Sequence, residues 1–244
     1  MTRIVVLTGA GISAESGVPT FRGADGLWEG HRVEDVATPE AYERDPDTVL
    51  AFYDERRRAL GAVAPNAAHR ALARLEGAIG DDLLVVTQNV DDLHERAGSR
   101  RLVHMHGELR RALCGACGSR PEWDGDLIDR PPCPECGERM LRPDVVWFGE
   151  MPYELERIEN AVVACDEFVS IGTSGAVYPA AGYVALAAAF GARTTELNLE
   201  PRDTLLLFED AVPFDEARAG RATELVPAWV DEVIAAQRDR IVES

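Results

Sequence analysis

Four cysteines stand at Cys114-x-x-Cys117 and, after fifteen intervening residues, Cys133-x-x-Cys136. Two such knuckles can close a tetrahedron of thiolates around Zn²⁺, with Zn–S near ~2.3 Å. The glycines of Cys114-Gly115-Ala116-Cys117-Gly118 and Cys136-Gly137 are expected to supply the left-handed turns that knuckles use. Four thiolates leave no open coordination position, so the metal is expected to be structural. Paired disulfides are the alternative, and they suit a chain without an export signal poorly. A fifth cysteine, Cys165, ends the apolar run Ala161-Val162-Val163-Ala164 and is expected in the core. A second chemical signal is Thr8-Gly9-Ala10-Gly11-Ile12-Ser13-Ala14, a G-x-G-x-x-A turn between an apolar strand and a helix. Its glycines would let the backbone close on a pyrophosphate while a helix N-terminus offers amide donors. The acidic ribose partner that such a turn has ~20 residues on is not clear; Glu29 and Glu34 are the candidates. Gly172-Thr173-Ser174-Gly175 and Asn198-Leu199-Glu200 are polar loops after later apolar runs.

The elements that must position these residues follow from the hydrophobic pattern. Apolar β-type runs recur at 4–7, 83–86, 102–105, 168–171 and 195–199, with helix-length segments at 46–63, 67–78, 178–190 and 226–241. Strands alternating with helices predict an α/β fold, a Rossmann-like parallel sheet with helices on both faces. The Pro- and Gly-rich stretch 111–142 interrupts it as a small inserted zinc-ribbon module. Residues 1–110 and 143–244 are expected to form the dinucleotide-binding domain, with a helical segment at about 24–65. In an open parallel sheet the loops after strand C-termini line one crevice.

Composition limits the chemistry. The chain has 244 residues, a net charge of −18 and 25 basic residues, all of them arginine. Without lysine there is no P-loop nucleotide site, no Schiff-base or pyridoxal-phosphate enzyme and no protein kinase. The negative field opposes binding to nucleic acid. The longest apolar stretch, 183–190, falls far short of the roughly 20 residues of a membrane span. A cytoplasmic monomer is expected, and the acidity suits a high-salt cytoplasm, such as that of a halophilic archaeon; codon bias accounts for the missing lysines.

The run Gly9-Ala10-Gly11-Ile12-Ser13-Ala14-Glu15-Ser16-Gly17-Val18-Pro19-Thr20-Phe21-Arg22 resembles the cofactor-loop signature of the sirtuins, the NAD-dependent protein deacylases. Thr87-Gln88-Asn89-Val90-Asp91, His106-Gly107-Glu108-Leu109, the four cysteines, Val145-Val146-Trp147-Phe148-Gly149-Glu150, Gly172-Thr173-Ser174 and Asn198-Leu199-Glu200 follow in family order. The resemblance covers residues 4 to about 230 and implies a bare catalytic core. It implies NAD⁺ as cofactor, one structural Zn²⁺, and acyl-lysine proteins or peptides as partners. The acyl group passes to ADP-ribose, releasing nicotinamide and O-acyl-ADP-ribose. His106 is the implied general base, since histidine titrates near working pH, and Asn89 the second catalytic residue. His104 is expected to be structural, and His69 and His94 to pack within helices. Gly9, Ala10, Gly11, Ser13, Ala14, Pro19, Phe21, Arg22, Trp28, Gln88, Asn89, Val90, Asp91, Gly172, Thr173, Ser174, Asn198, Leu199, Glu200 and Ala222 are the implied cofactor contacts. Val146, Phe148 and Gly149 are implied to wall the substrate tunnel and pair with the peptide as an added strand; plain core is the alternative for the first two.

The helix at 46–63 carries an apolar stripe of Val49, Phe52, Tyr53, Leu60 and Val63. At ~100° per residue, Arg56 projects into its centre, whereas Glu55, Arg57 and Arg58 fall off it. A guanidinium on an inward face requires an anion. Tyr53-x-x-Arg56 resembles the sirtuin subgroup that removes succinyl and malonyl groups, with Arg56 pairing the distal carboxylate and Tyr53 adding a hydrogen bond. A salt bridge within the chain or a solvent-seeking side chain is the alternative. Competing functions are protein mono-ADP-ribosyl transfer and a non-catalytic NAD-sensing zinc scaffold.

Overall fold

In the computed structural model, residues 2–20, 28, 30–175, 177–201 and 213–243 are described, with side chains of the last helix followed to residue 238. Six parallel strands form the main sheet: β1 (Ile4–Thr8), β2 (Leu83–Thr87), β3 (Leu102–His104), β6 (Glu167–Ile171), β7 (Arg193–Asn198) and β8 (Glu216–Ala219), in the order β3-β2-β1-β6-β7-β8. The runs of β1 and β2 are apolar from 4–7 and 83–86 because both faces are covered, whereas β6 and β7 also bury Ser170, Thr195 and Glu196. Along β1, Ile4 and Val6 join one core cluster while Val5 and Leu7 join the other.

The first cluster lies under α5 (Ala67–Ile79) and α9 (Ala222–Glu243), the second under α7 (Leu155–Ala164) and α8 (Tyr183–Ala189). Cys165 is 6% exposed and belongs to the second, as expected. Asn66 starts α5 by accepting the Ala68 N–H at 2.9 Å. Asp45 starts α4 (Pro46–Ala59) by accepting from Thr48 N at 3.1 Å, with Pro46 preset at the first helical position.

The five expected strands are all present. β8 was not foreseen: Glu216-Ala217-Arg218-Ala219 has no apolar run, because an edge strand needs only one buried side and carries charges outward. The expected helix 178–190 is shorter, a 3₁₀ turn at Ala180–Gly182 followed by α8, and α9 begins four residues before the expected 226. Shorter helices α1 (Gly11–Ala14), α2 (Val33–Val36), α3 (Pro39–Arg44) and α6 (Leu93–Ala97) complete the described helices.

β4 (Gly107–Cys114) and β5 (Leu141–Val145) pair antiparallel as a separate ribbon that carries the cysteine segment. The ribbon docks on α4, and the sequence reading of α4 needs correction here. Arg57, expected off the inward face, is 3% exposed. It donates to Asp54 at 2.6 Å, to the Leu109 carbonyl at 2.7 Å and to the Gly125 carbonyl at 3.1 Å. Asp54 in turn accepts the N–H groups of Leu127 and Ile128. A second face of α4 is therefore buried through a charge pair whose hydrogen bonds are met by the ribbon's backbone. Hydrophobic periodicity cannot register such a face. Among the described residues, no helix is long and apolar enough to cross a membrane.

Candidate active site

Strand order reverses between β1 and β6, which places a crevice at the C-terminal ends of those strands. The loops there lock onto one another. Gly9 N donates to Ile171 O at 3.0 Å and Gly11 N to Gly172 O at 2.8 Å. A Cβ on Gly11 would lie 2.7 Å from Gly172 Cα, and one on Gly172 would lie 2.6 Å from Ile12 N. Gly172 also sits at φ +58°, a left-handed conformation that favours glycine. The glycines of the first turn are thus demanded by loop-on-loop packing. The expected helix-terminus amides are partly engaged: Gly11 N meets Gly172 O and Ile12 N meets Gly9 O at 3.1 Å.

The other loops close on the same point. Gln88 Nε2 donates to Thr173 Oγ1 at 2.9 Å, Asn198 Nδ2 to Thr173 O at 3.0 Å, and Asn89 Nδ2 to Gly9 O at 3.1 Å. Ser174 is half-buried beside Thr173, while Ala14, Pro19, Leu199 and Glu200 are exposed at the rim. Ala10 and Val90 are half-buried, and Ala222 opens α9 at 8% exposure. Phe21, Arg22 and Glu29 lie outside the described residues. Glu34 is exposed and paired with Arg32.

Beneath the crevice runs a buried polar chain. Asn66 N donates to His69 Nδ1 at 3.3 Å, so the His69 proton is on Nε2, which meets Ser13 Oγ at 3.4 Å. Ser13 donates to Asp91 at 2.9 Å and accepts from Asn89 Nδ2 at 3.2 Å. Burial pushes the His69 pKa down to about 4 and raises that of Asp91. His94 also lies in the core, its Nε2 3.1 Å from Thr8 Oγ1, with its pKa held well below 6.5 by burial. Sequence reading foresaw helical packing for both histidines, but not that His69 orders Ser13.

His106 lies just past β3, with Nδ1 3.2 Å from the Gln88 carbonyl. A carbonyl oxygen only accepts, so Nδ1 bears the proton and the Nε2 lone pair is left to act as a base. Burial keeps its pKa below the usual value of 6.5. His104, in β3, donates from Nδ1 to Asn89 O at 3.0 Å, and its Nε2 lies 2.6 Å from Glu95. Burial disfavours its charge, yet the Glu95 carboxylate outweighs burial and raises the pKa.

Tyr53 is fully buried and Arg56 is 7% exposed, both facing inward as the helical projection predicts. Arg56 Nη1 donates to the Phe52 carbonyl at 2.7 Å, and its Cζ lies 3.1 Å from the Phe52 ring centroid and 5.3 Å from that of Trp28. Trp28, expected at the cofactor, packs edge-on to Phe52 and Tyr53 at 4.9 and 6.1 Å. Phe148 is 44% exposed and Val146 half-buried, so neither is plain core. The amides of Val146 and Phe148 are bonded to the His106 and Ala37 carbonyls, at 2.9 and 3.0 Å. Gly149 is exposed with φ +95°.

The four cysteines converge on one point. Cys114 and Cys136 Sγ are 3.7 Å apart, Cys117 and Cys133 Sγ 3.9 Å, and all four sulfurs lie within 4.8 Å of one another. These separations exceed a disulfide's ~2.05 Å and match the edge of a Zn–thiolate tetrahedron, about 3.8 Å. Gly118 N donates to Cys114 O and Gly137 N to Cys133 O, both at 2.9 Å, closing the two knuckles.

This architecture recurs in known proteins. An NAD-dependent protein deacylase of Pasteurella multocida (strain Pm70) is 56% identical over 235 residues, spanning 95% of this chain and 98% of the relative. An ADP-ribose complex of a Sir2 homologue superposes with a TM-score of 0.86 at 40% identity, covering 97% of this chain and 93% of the other. A Sir2 homolog–NAD complex gives 0.84 at 40% identity, covering 96% and 90%. Residues 9–179 match the Sir2 family, so the crevice, the thiolate cluster and the order of the motifs have one explanation: the chain belongs to that family.

Proposed function

We propose that this protein is an NAD-dependent protein-lysine deacylase that removes acetyl groups and also acidic acyl groups such as succinyl and malonyl. The observation that carries the reading is the fixed tautomer of His106 next to the Gln88–Asn89 segment. A neutral imidazole with its lone pair on Nε2 is what a general base at a ribose hydroxyl requires. Bound NAD⁺ would supply the electrophilic ribose carbon, so that acyl-lysine, NAD⁺ and water would give free lysine, nicotinamide and O-acyl-ADP-ribose. The loops after β1, β2, β6 and β7 would hold it, with Asn89 and Asp91 at the nicotinamide ribose. Relatives of this fold are solved with NAD and with ADP-ribose, and a relative sharing over half its residues is named as a deacylase.

Cys114, Cys117, Cys133 and Cys136 would hold one structural Zn²⁺, a closed site that takes no part in the reaction. Val146 and Gly149 would border the substrate peptide, whose strand pairing draws on this segment's carbonyls because the Val146 and Phe148 amides are engaged. Preference for acidic acyl groups is supported by Arg56, a cation held on an inward face among the aromatic rings of Phe52 and Trp28.

One assay tests the function. Purified protein is incubated with NAD⁺ and acetyl-, succinyl- or malonyl-lysine peptide and followed by mass spectrometry, at low and at molar salt because of the acidic composition. Free lysine peptide and O-acyl-ADP-ribose are expected. ADP-ribosylated protein in their place would mean mono-ADP-ribosyl transfer, and no nicotinamide release would mean a non-catalytic NAD sensor.

A further inference from the structure

The Tyr53 hydroxyl is fully buried and, among the described residues, engaged on one side. Trp147 Nε1 donates to it at 3.1 Å. An indole N–H can only donate, so the polarity of this bond is settled: Tyr53 Oη is the acceptor. Nothing among the described residues accepts the O–H of Tyr53 itself. Burial raises the phenol pKa, which keeps that proton in place across the working pH range. A buried donor is destabilising unless it meets an acceptor, and the carboxylate of a bound ligand would supply one.

Trp147 is itself held firmly. It is 3% exposed, and the Arg142 Cζ stacks 4.1 Å from its ring centroid. Its backbone N–H donates to one oxygen of Glu150 at 2.9 Å, while the other oxygen accepts from Arg142 at 2.6 Å. The indole N–H is thus aimed by a guanidinium on one side and a carboxylate anchor on the other. Three residues along α4, Arg56 brings a cation to the same aromatic cluster. A neutral O–H donor beside a guanidinium suits a carboxylate at the end of an acyl chain, and an acetyl methyl offers neither group a partner.

We propose that Trp147 is a positioning residue for acyl specificity: by donating to Tyr53 Oη, it commits the Tyr53 O–H to the distal carboxylate of an acidic acyl-lysine. The inference rests on the acyl-carboxylate reading above and adds to it a residue outside the Tyr-x-x-Arg pair.

The test compares kcat/KM for succinyl- and acetyl-lysine peptides in the wild-type protein, Trp147→Phe, Tyr53→Phe and the double variant. Trp147→Phe keeps an aromatic ring and deletes the N–H. The succinyl-to-acetyl ratio is expected to fall about 2- to 12-fold, the size of one net hydrogen bond, and mainly through KM for the succinyl peptide. In the Tyr53→Phe background the same change is expected to cost no further selectivity, which a purely structural Trp147 would not produce. If Trp147→Phe does not fold, benzothienylalanine at position 147 replaces only the N–H with sulfur and serves the same cycle. An unchanged ratio, or effects of the two substitutions that simply add, overturns the role of Trp147. A wild-type protein that does not desuccinylate at all takes down the acyl-carboxylate reading together with it.

Discussion

His104 and His106 donate from Nδ1 to consecutive carbonyls, Asn89 O at 3.0 Å and Gln88 O at 3.2 Å. Both rings therefore carry a proton on Nδ1 and differ in what Nε2 meets. For His104 it is the Glu95 carboxylate, which raises the pKa; for His106, burial prevails and lowers it. Two residues of spacing thus separate a charge-paired histidine from a neutral one, to which the proposed function gives the role of base.

That contrast sets a pH profile. The base works only when neutral, so kcat/KM should rise with pH along a limb whose midpoint lies below the usual 6.5. His106→Ala should lower kcat by roughly 100- to 10,000-fold, measured by nicotinamide release with saturating peptide. A limb centred above neutrality, or only a few-fold loss in the variant, would remove His106 from the role of base.

Arg56→Met should lower the succinyl-to-acetyl ratio of kcat/KM by about 10-fold or more, since hydrogen bonds to charged groups contribute roughly 1.5–3 kcal/mol. Equal loss of both activities would show that Arg56 supports the helix and not the acyl chain.

Metal analysis should find about one Zn²⁺ per chain, released by chelation or by Cys133→Ser. Loss of zinc should also act at a distance. Asp54 and Arg57 of α4 bind the ribbon's backbone, and Tyr53 and Arg56 share that helix. The expected readout is a lower unfolding midpoint with a raised KM for succinyl peptide. Cysteines found oxidised in pairs in the native protein would refute the metal site.

Gly172→Ala should destabilise the fold by about 1–3 kcal/mol and weaken NAD⁺ binding, because the new Cβ meets backbone 2.6 Å away at φ +58°. Gly77→Ala is the opposite case. That glycine is inside α5 with nothing within 4 Å of an added Cβ, so about 0.5–1 kcal/mol of stabilisation is expected. Urea midpoints compare the two; a stable Gly172→Ala protein with undiminished NAD⁺ affinity would contradict the packing argument.

Much of this was legible in the residues. The apolar runs located five of the six strands of the main sheet because strands covered on both faces are rich in apolar residues, and paired cysteines point to a metal through spacing alone. The projection of α4 placed Arg56 inward because helical periodicity is local. Less legible were the contacts that join distant segments. β8 escaped notice because an edge strand has no continuous apolar signal, and Asp54 and Arg57 because their partners are backbone groups of residues 109–128.

The sequence by itself determined the α/β class, the thiolate cluster and the family to which the motifs belong, since each depends on residue type and near-neighbour spacing. Tertiary structure alone decided which His106 nitrogen carries the proton, why Gly9, Gly11 and Gly172 must be glycines against one another, and that Trp147 donates to Tyr53. Those are properties of atoms brought together from segments 18 to about 160 residues apart, and a hydrogen bond or a steric contact exists only once both partners have been placed.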